Sequence, residues 1–465
     1  MAPQLSFAEL LDQARWAAAA LADDAVLCLG LPLDPLDPLA ALPMLPLQQS
    51  FRNVWDGAPG LTVVATGVEQ SLEMRGPRRF PLAQRFVNAT LQRVLRAHHC
   101  DWAPSRPRVC LAFSFFDQVD GEGPAGVTAV LPRWQLARQG RRCWLLLLRA
   151  IGGDVTARSM AEELWEQSQR LEAPSPHPLT LPAVVHRDQD WLDSFCSGVS
   201  QALELISCGE LRKLVLAARQ DLLLDAPLDP LTLLHGLRLQ QPGSCRFLWQ
   251  DPNHPAAGML VGASPERLME LRVGRLRCDA LAGTAPTGPS QRQLLLGSRK
   301  DRHEHELVVE EMVRSLQQLG LRPKHRPMPR IARHGGLLHL HTPITAPAGK
   351  VAPLALAAGL HPTPAVAGLP RREALGWLRS LEGFKRGLYA APVGWVDACG
   401  DADLRVAIRS GLVRGHRLTL TAGAGIVAGS DPERESREVE LKLSVLQRSL
   451  GRGLPTPERC TASAV

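Results

Sequence analysis

The sequence has ten Cys but no C-x-x-C pair. That spacing argues against a zinc ribbon or a thioredoxin-type redox motif. Most of the cysteines sit in apolar contexts, such as Cys110 in RVCLAFSFF and Cys143 in RRCWLLLL. Buried free thiols in a reducing compartment fit this better than a disulfide framework. The chain also has no Lys/Arg run of five or more, although its net charge is +7. A nucleic-acid binder would concentrate such charge in a stripe. Scattered Arg instead suggests mild attraction for anionic ligands. No apolar run reaches 18 residues, so no membrane span is expected. The N-terminal stretch MAPQLSFAELLDQARWAAAALADDAVL lacks a basic leader and reads as an amphipathic helix. The expectation is a soluble cytoplasmic protein. Aromatic residues are scarce at 5%, with one Tyr, at position 389. No internal repeat and no long low-complexity tract is present.

A chain of 465 residues is long enough for a sizeable buried core. Residues 25–50 are Leu/Pro-rich (LPLDPLDPLAALPMLPL) and read as irregular. The apolar runs LTVVATG, RVCLAFSFF, GVTAVLP and CWLLLLRAI, each bounded by turn residues, read as strands. Residues 155–172 read as a helix, followed by a Pro-rich link over 174–182. Beyond it come the helix DQDWLDSFCSGVSQALELIS and the strands KLVLAARQDLLL, CRFLWQ, GMLVGAS and RLMEL. Mixed strands and helices without regular βαβ alternation indicate an α+β fold. The domain expectation is 1–184 completing the same fold, 185–452 as the catalytic core, and 453–465 as a tail.

Two helical segments carry acids on the side that should be buried. In KDRHEHELVVEEM, at 100° per residue, Asp301, Glu304, Val308 and Met312 share one quadrant. Glu306, Glu310 and Arg314 lie elsewhere and read as solvated, while Glu311 falls close to Glu304. A second helix follows AGAGIVAGSDPE, with Ser430 or Asp431 as N-cap and Pro432 in the first turn. There Glu435, Glu438 and Lys442 align with Val439, Leu446 and Leu450. Arg437, Glu440, Ser444, Gln447 and Arg448 read as the outer face. Taken singly, either helix is compatible with acids at the stripe's edge that pair with Arg. Taken together, buried carboxylates on two helices need counter-charge. Oxygen ligands without nearby Cys suit Mg²⁺. His303 and His305 are two apart, face different sides, and do not form a zinc pair.

Further candidates are weaker in isolation. TAGAGIVAGS places Gly423 and Gly425 where backbone N–H groups can approach an anion. LAGTAPTG is similar and adds the Thr284 hydroxyl. Lys213 heads a strand and shares a face with Val215 and Ala217. Such a lysine is usually solvated, yet it is also a candidate base. Glu266 follows the strand GMLV in GASPERLMEL.

The ordered motifs KLVLAAR, GASPERL, LAGT, KDRHEHELVV, LLHLHTP, HPTPAVAG, RGLYAAPVGW and AGAGIVAGSDPERESREVELK resemble those of the chorismate-using enzymes, most closely isochorismate synthase. The resemblance runs from about 185 to 450 and is looser upstream, through FSFF and VLPRW. It implies a large β-sandwich core flanked by helices. It implies Lys213 as the general base that activates water and Glu266 as the general acid for the departing C4 hydroxyl. Glu304 and Glu438 would be direct Mg²⁺ ligands, with Asp301 and Glu435 reaching the metal through water. Asp301 stands where many relatives carry the longer Glu. Arg409, Lys442, Gly423 and Gly425 would grip the carboxylates of chorismate. Gly283, Thr284, His339, Ala365 and Tyr389 would line the pocket.

Three positions bear on the subfamily. Lys213 stands where ammonia-using relatives carry Gln, which argues for water as nucleophile. Ala282 replaces the Lys that aminodeoxychorismate synthases use covalently. Ala365 in HPTPA resembles isochorismate synthases rather than salicylate synthases. The expectation is an isomerase acting in menaquinone or phylloquinone synthesis, a monomer by analogy with relatives. The rivals are salicylate synthase and anthranilate synthase component I. A non-catalytic chorismate-binding protein would have lost Lys213, Glu266 or a metal glutamate, and all are present.

Overall fold

The computed structural model describes residues 5–450 apart from 23, 48–49, 58–59, 118–124 and 172–179. Most of the Pro-rich link and the whole of the 453–465 tail lie outside the described residues.

Among the described residues, twenty strands form one hydrogen-bonded ladder. Every pairing is antiparallel except Val26–Leu33 with Val94–Arg96. The ladder begins at Arg330–His334 and Leu337–Pro347 and continues through Arg275–Pro286, Arg267–Arg272, Ala402–Val406 and Pro392–Asp397. It passes through Arg108–Phe113, Val127–Gln139, Thr62–Met74 and Arg52–Asp56. It ends at Cys245–Gln250, Met259–Ser264, Ser410–Arg414, Arg417–Ile426 and Lys213–Leu224.

The ladder folds back on itself. Met259–Ser264 and Arg267–Arg272 are consecutive in the chain yet pair in opposite halves. So are Ala402–Val406 and Ser410–Arg414. An interior cluster of Trp55, Phe247, Trp249, Cys110 and Trp395 packs side chains of both halves together, as a sandwich requires. Helices cover the outside and enlarge the main core. No helix among the described residues is long and apolar enough to cross a membrane. Cys28, Cys110, Cys143, Cys245 and Cys278 are buried free thiols, whereas Cys208 and Cys399 are exposed.

Helix starts follow from local chemistry. Ser298 caps Arg299–Gln318 by accepting from the Asp301 N–H at 3.2 Å. Asp431 caps Pro432–Gln447 by accepting from the Arg434 N–H at 2.9 Å, with Pro432 at the first helical position. Two expectations are corrected. The Leu/Pro-rich stretch is not irregular throughout: Val26–Leu33 is a strand, and Asp37 caps the short helix Pro38–Ala41. Pro32 is tolerated because at that point the strand pairs only with Arg142–Ala150; Val94–Arg96 reaches no further than Cys28. Gln447 is not on an outer face. It is buried, and its Nε2 donates to Gln220 Oε1 at 2.5 Å. Trp191–Ser207 packs on one side of its helix and Arg417–Ile426 on another, so a polar residue there found a polar partner instead of solvent.

Candidate active site

The two ends of the ladder meet around a recess. Val215, Ala422, Gly423 and Gly425 come from the Lys213–Leu224 and Arg417–Ile426 end, and Ala282, Gly283, Thr284 and His339 from the other. Lys213 opens its strand fully buried, with Nζ 2.9 Å from Glu304 Oε1. Gly425 pairs opposite Val215. A Cβ at Gly425 would overlap the Glu304 carboxylate and lie 3.1 Å from Lys213 Cε. The glycine therefore answers to close side-chain approach. At Gly423 a Cβ would lie 2.7 Å from the Leu216 carbonyl, so there the constraint is the neighbouring backbone.

The two acidic helix faces converge. Glu304 and Glu438 line the recess. Asp301 and Glu435 do not line it, but both lie within electrostatic reach of Glu438. Each of three carboxylates faces a lysine. Glu304 pairs with Lys213, Glu435 with Lys300, and Glu438 with Lys442 at 2.6 Å. Lys442 Nζ also donates to the Gly423 carbonyl at 2.7 Å. Burial raises the Asp301 pKa, and the charges of Glu304 and Glu438 add to the rise. Burial and then Glu438 raise Glu435 against the pull of Lys300. Glu438 goes the other way: burial is outweighed by Lys442, Lys300 and Arg409, which hold it below the usual carboxylate range.

The opposite wall is built where the chain crosses between halves. Glu266 lies in the crossing from Ser264 to Arg267 and Arg409 in the crossing from Val406 to Ser410. The crossings are tied together: Val406 N–H donates to the Glu266 carbonyl at 3.2 Å, and Ala263 N–H to the Arg409 carbonyl at 3.0 Å. Glu266 is 2% exposed, and burial pushes its carboxyl up to about 8 against the opposing charges of Lys213 and Arg409. Arg409 has a left-handed φ of +52°, uncommon for a side chain other than Gly, Asn or Asp. Its guanidinium lies 3.5 Å from His339 Nε2. Burial and the neighbouring Arg409 keep His339 neutral, far below the usual imidazole range. Its Nδ1 lies 3.3 Å from both the Gly283 carbonyl and the Thr284 hydroxyl. Tyr389 and Ala365 complete the lining. Burial raises the Tyr389 phenol to about 12.

Of the expected site residues, the recess gathers Glu266, Gly283, Thr284, Glu304, His339, Ala365, Tyr389, Arg409, Gly423, Gly425, Glu438 and Lys442. Lys213 lies directly beneath, against Glu304. Glu306, Glu310 and Arg314 are solvent-exposed, and half-buried Glu311 pairs with Arg314 at 2.8 Å. His305 is buried, with Nε2 2.8 Å from the Thr342 hydroxyl. Pattern alone does not single out Thr363, whose hydroxyl donates to Glu266 Oε1 at 3.4 Å. Nor does it reveal Lys300, or the buried pair Glu382 and Arg386. The available signal was their position inside the quoted motifs HPTPAVAG, KDRHEHELVV and RGLYAAPVGW, with Glu382 lying just before the last.

Among the described residues no group of three or more His, Cys, Asp and Glu side chains forms a closed metal site. Glu304 and Glu438 nevertheless both open on the recess, from two helices, and Gly425 leaves room for the first. Two carboxylates, with water and an anionic substrate as the remaining ligands, suit Mg²⁺. The residues fit that ion.

The chain is 34% identical over 412 residues to the salicylate biosynthesis isochorismate synthase of Pseudomonas aeruginosa, covering 84% of this chain and 83% of that protein. Its structure is similar to MenF, the menaquinone-specific isochorismate synthase from Escherichia coli. The TM-score is 0.76 at 25% identity, over 95% of this chain and 100% of that one. Anthranilate synthase component I from Streptococcus pneumoniae, at 17% identity and a TM-score of 0.69 over 84% of this chain and 92% of that one, shares the fold. The family profile described as chorismate binding enzyme matches residues 11–451, and the chain belongs to that family.

Proposed function

We propose that this enzyme isomerises chorismate to isochorismate, with water attacking C2 while the C4 hydroxyl departs. The observation that carries this is a buried lysine, paired with the recess-lining Glu304, within electrostatic reach of a buried recess-lining carboxyl, Glu266, pushed up to about 8. A separate base and acid suit a reaction that takes a proton from the water attacking C2 and gives one to the hydroxyl leaving C4, which departs as water. Lys213 is the base and Glu266 the acid, protonated at neutral pH because burial disfavours its charge. Arg409, Lys442 and the backbone at Gly423 and Gly425 hold the two carboxylates of the substrate, with Gly283, Thr284, His339 and Tyr389 shaping the pocket.

Mg²⁺ bound by Glu304 and Glu438 would supply Lewis-acid polarisation of the ring carboxylate. Asp301 and Glu435 would contribute charge from further out. Ala282 and Ala365 both line the recess. No lysine is available at 282 for covalent attack, and 365 carries no hydroxyl. Both features support isomerisation over amination or pyruvate loss.

The test is incubation of the pure protein with chorismate and Mg²⁺, with products resolved by chromatography. Isochorismate alone is expected. Salicylate with pyruvate, or anthranilate when ammonia is supplied, would overturn the proposal. For the product's use, quinone synthesis is supported by the likeness to a menaquinone-specific enzyme. Salicylate supply is supported by the name of the P. aeruginosa relative. Complementation of a menaquinone auxotroph lacking isochorismate synthase distinguishes the two.

A further inference from the structure

The strand that begins at Lys213 has an interrupted outer edge. Its inner edge is paired with Arg417–Ile426 from Leu214 to Leu223. On the outer edge, Gly368 and Leu369 pair with Leu214 and Lys213, and the Val215 N–H donates to the Ala367 carbonyl at 2.8 Å. At the far end, Val184–Arg187 pairs with Leu222–Leu224, and the Asp188 N–H donates to the Asp221 carbonyl at 3.0 Å. Among the described residues no strand lies between these partners. The Val215 carbonyl and the Ala217 N–H face that gap in buried residues. A buried backbone polar group without a partner costs about 1–3 kcal/mol.

Two side chains fill the gap. Arg386 Nη2 donates to the Val215 carbonyl at 2.7 Å, and Glu382 Oε1 accepts from the Ala217 N–H at 2.9 Å. The two are paired with each other, Arg386 Nε donating to Glu382 Oε2 at 2.8 Å. Arg386 Nη1 donates to the Val366 carbonyl at 2.6 Å, and the guanidinium lies 4.3 Å from the centre of the Phe115 ring. A donor and an acceptor, offered side by side, thus replace one residue of a missing strand. The same pair reaches the turn that carries Ala365 and Val366 and precedes Tyr389 by a few residues. Val215, Ala365, Val366 and Tyr389 all line the recess.

We propose that Glu382 and Arg386 are positioning residues for the reaction: an ionic splice that fixes the register of the Lys213 strand against the 365–367 turn, and so aims the Lys213 side chain. Neither touches the recess, so neither is a catalytic residue. The kinetic part of the inference rests on the isomerase proposal; the splice itself does not.

Removing one member leaves a lone buried charge and is strongly destabilising. The informative variants are therefore Arg386→Lys, and the neutral double variant Glu382→Gln with Arg386→Gln. Hydrogen exchange of the full chain is read by mass spectrometry, alongside kcat and KM for chorismate. Exchange in peptides spanning 213–217 and 365–369 is expected to rise at least tenfold in Arg386→Lys and in the double variant, with other strands unchanged. kcat is expected to fall at least tenfold in both, with KM changed less than threefold. Unaltered exchange in those peptides would overturn the splice. Raised exchange with native kcat would reduce the pair to a structural bond and overturn the positioning role. If the wild-type protein leaves chorismate unchanged, the isomerase proposal fails, while the exchange result still decides whether the splice exists.

Discussion

The Lys213 ammonium and the Glu304 carboxylate form a buried ion pair of 2.9 Å at the floor of the recess. One member is the proposed base and the other a proposed metal ligand, so the two functions share a contact. Whatever engages Glu304 changes the counter-charge that Lys213 sees.

Replacing Lys213 with Ala should therefore lower isochorismate formation by about 10²–10⁴-fold, the usual worth of a proton-transfer group. Circular dichroism should show the fold retained, and turnover near the native level would sink the base assignment.

Glu304→Gln should raise the Mg²⁺ concentration needed for half-maximal activity at least tenfold. Titration calorimetry with Mg²⁺ alone should show the same weakening. An unchanged requirement would refute the ligand role.

The acid assignment predicts a pH profile. Glu266 must be protonated to donate, and its carboxyl is pushed up to about 8. kcat should therefore fall as pH rises through about 8, and Glu266→Gln should abolish turnover. Stability follows the same sign. The folded-state pKa lies above the unfolded one, so the folded state holds the proton more tightly between about 4.5 and 8. Its stabilising contribution is fully present below that window and is lost as pH rises through it. Denaturant unfolding of Glu266→Gln should show a smaller loss of stability across this range than the wild type. Equal losses would count against the raised value.

The two glycines of AGAG should respond differently to Ala. At Gly425 the new methyl meets the end of the Glu304 side chain, which can swing aside. Gly425→Ala should keep a near-native melting temperature but lose activity and Mg²⁺ affinity. At Gly423 it meets the Leu216 carbonyl, which belongs to a paired strand. Gly423→Ala should lower the melting temperature by several degrees. Identical behaviour of the two variants would contradict this division.

The helices and strands around the site were legible because local chemistry marks them. Ser298 and Asp431 are strong caps, and acids on two apolar stripes are costly enough to require an explanation. Contacts between segments distant in sequence were not legible. Nothing in the periodicity places Thr363 against Glu266, or Arg386 against Val215. Gln447 misled because polarity predicts solvent only when no buried partner such as Gln220 exists. The Leu/Pro-rich segment misled because Pro32 falls where one strand edge is already free.

The backbone bonds between the two chain crossings have a mechanical consequence. Glu266 and Arg409 ride on one tied unit, whereas Glu304 rides on a helix packed against Arg275–Pro286 and Glu438 on a helix packed against Arg417–Ile426. The spacing of the acid and the anion grip is therefore set by main-chain bonds, independently of how either acidic helix seats on its strand.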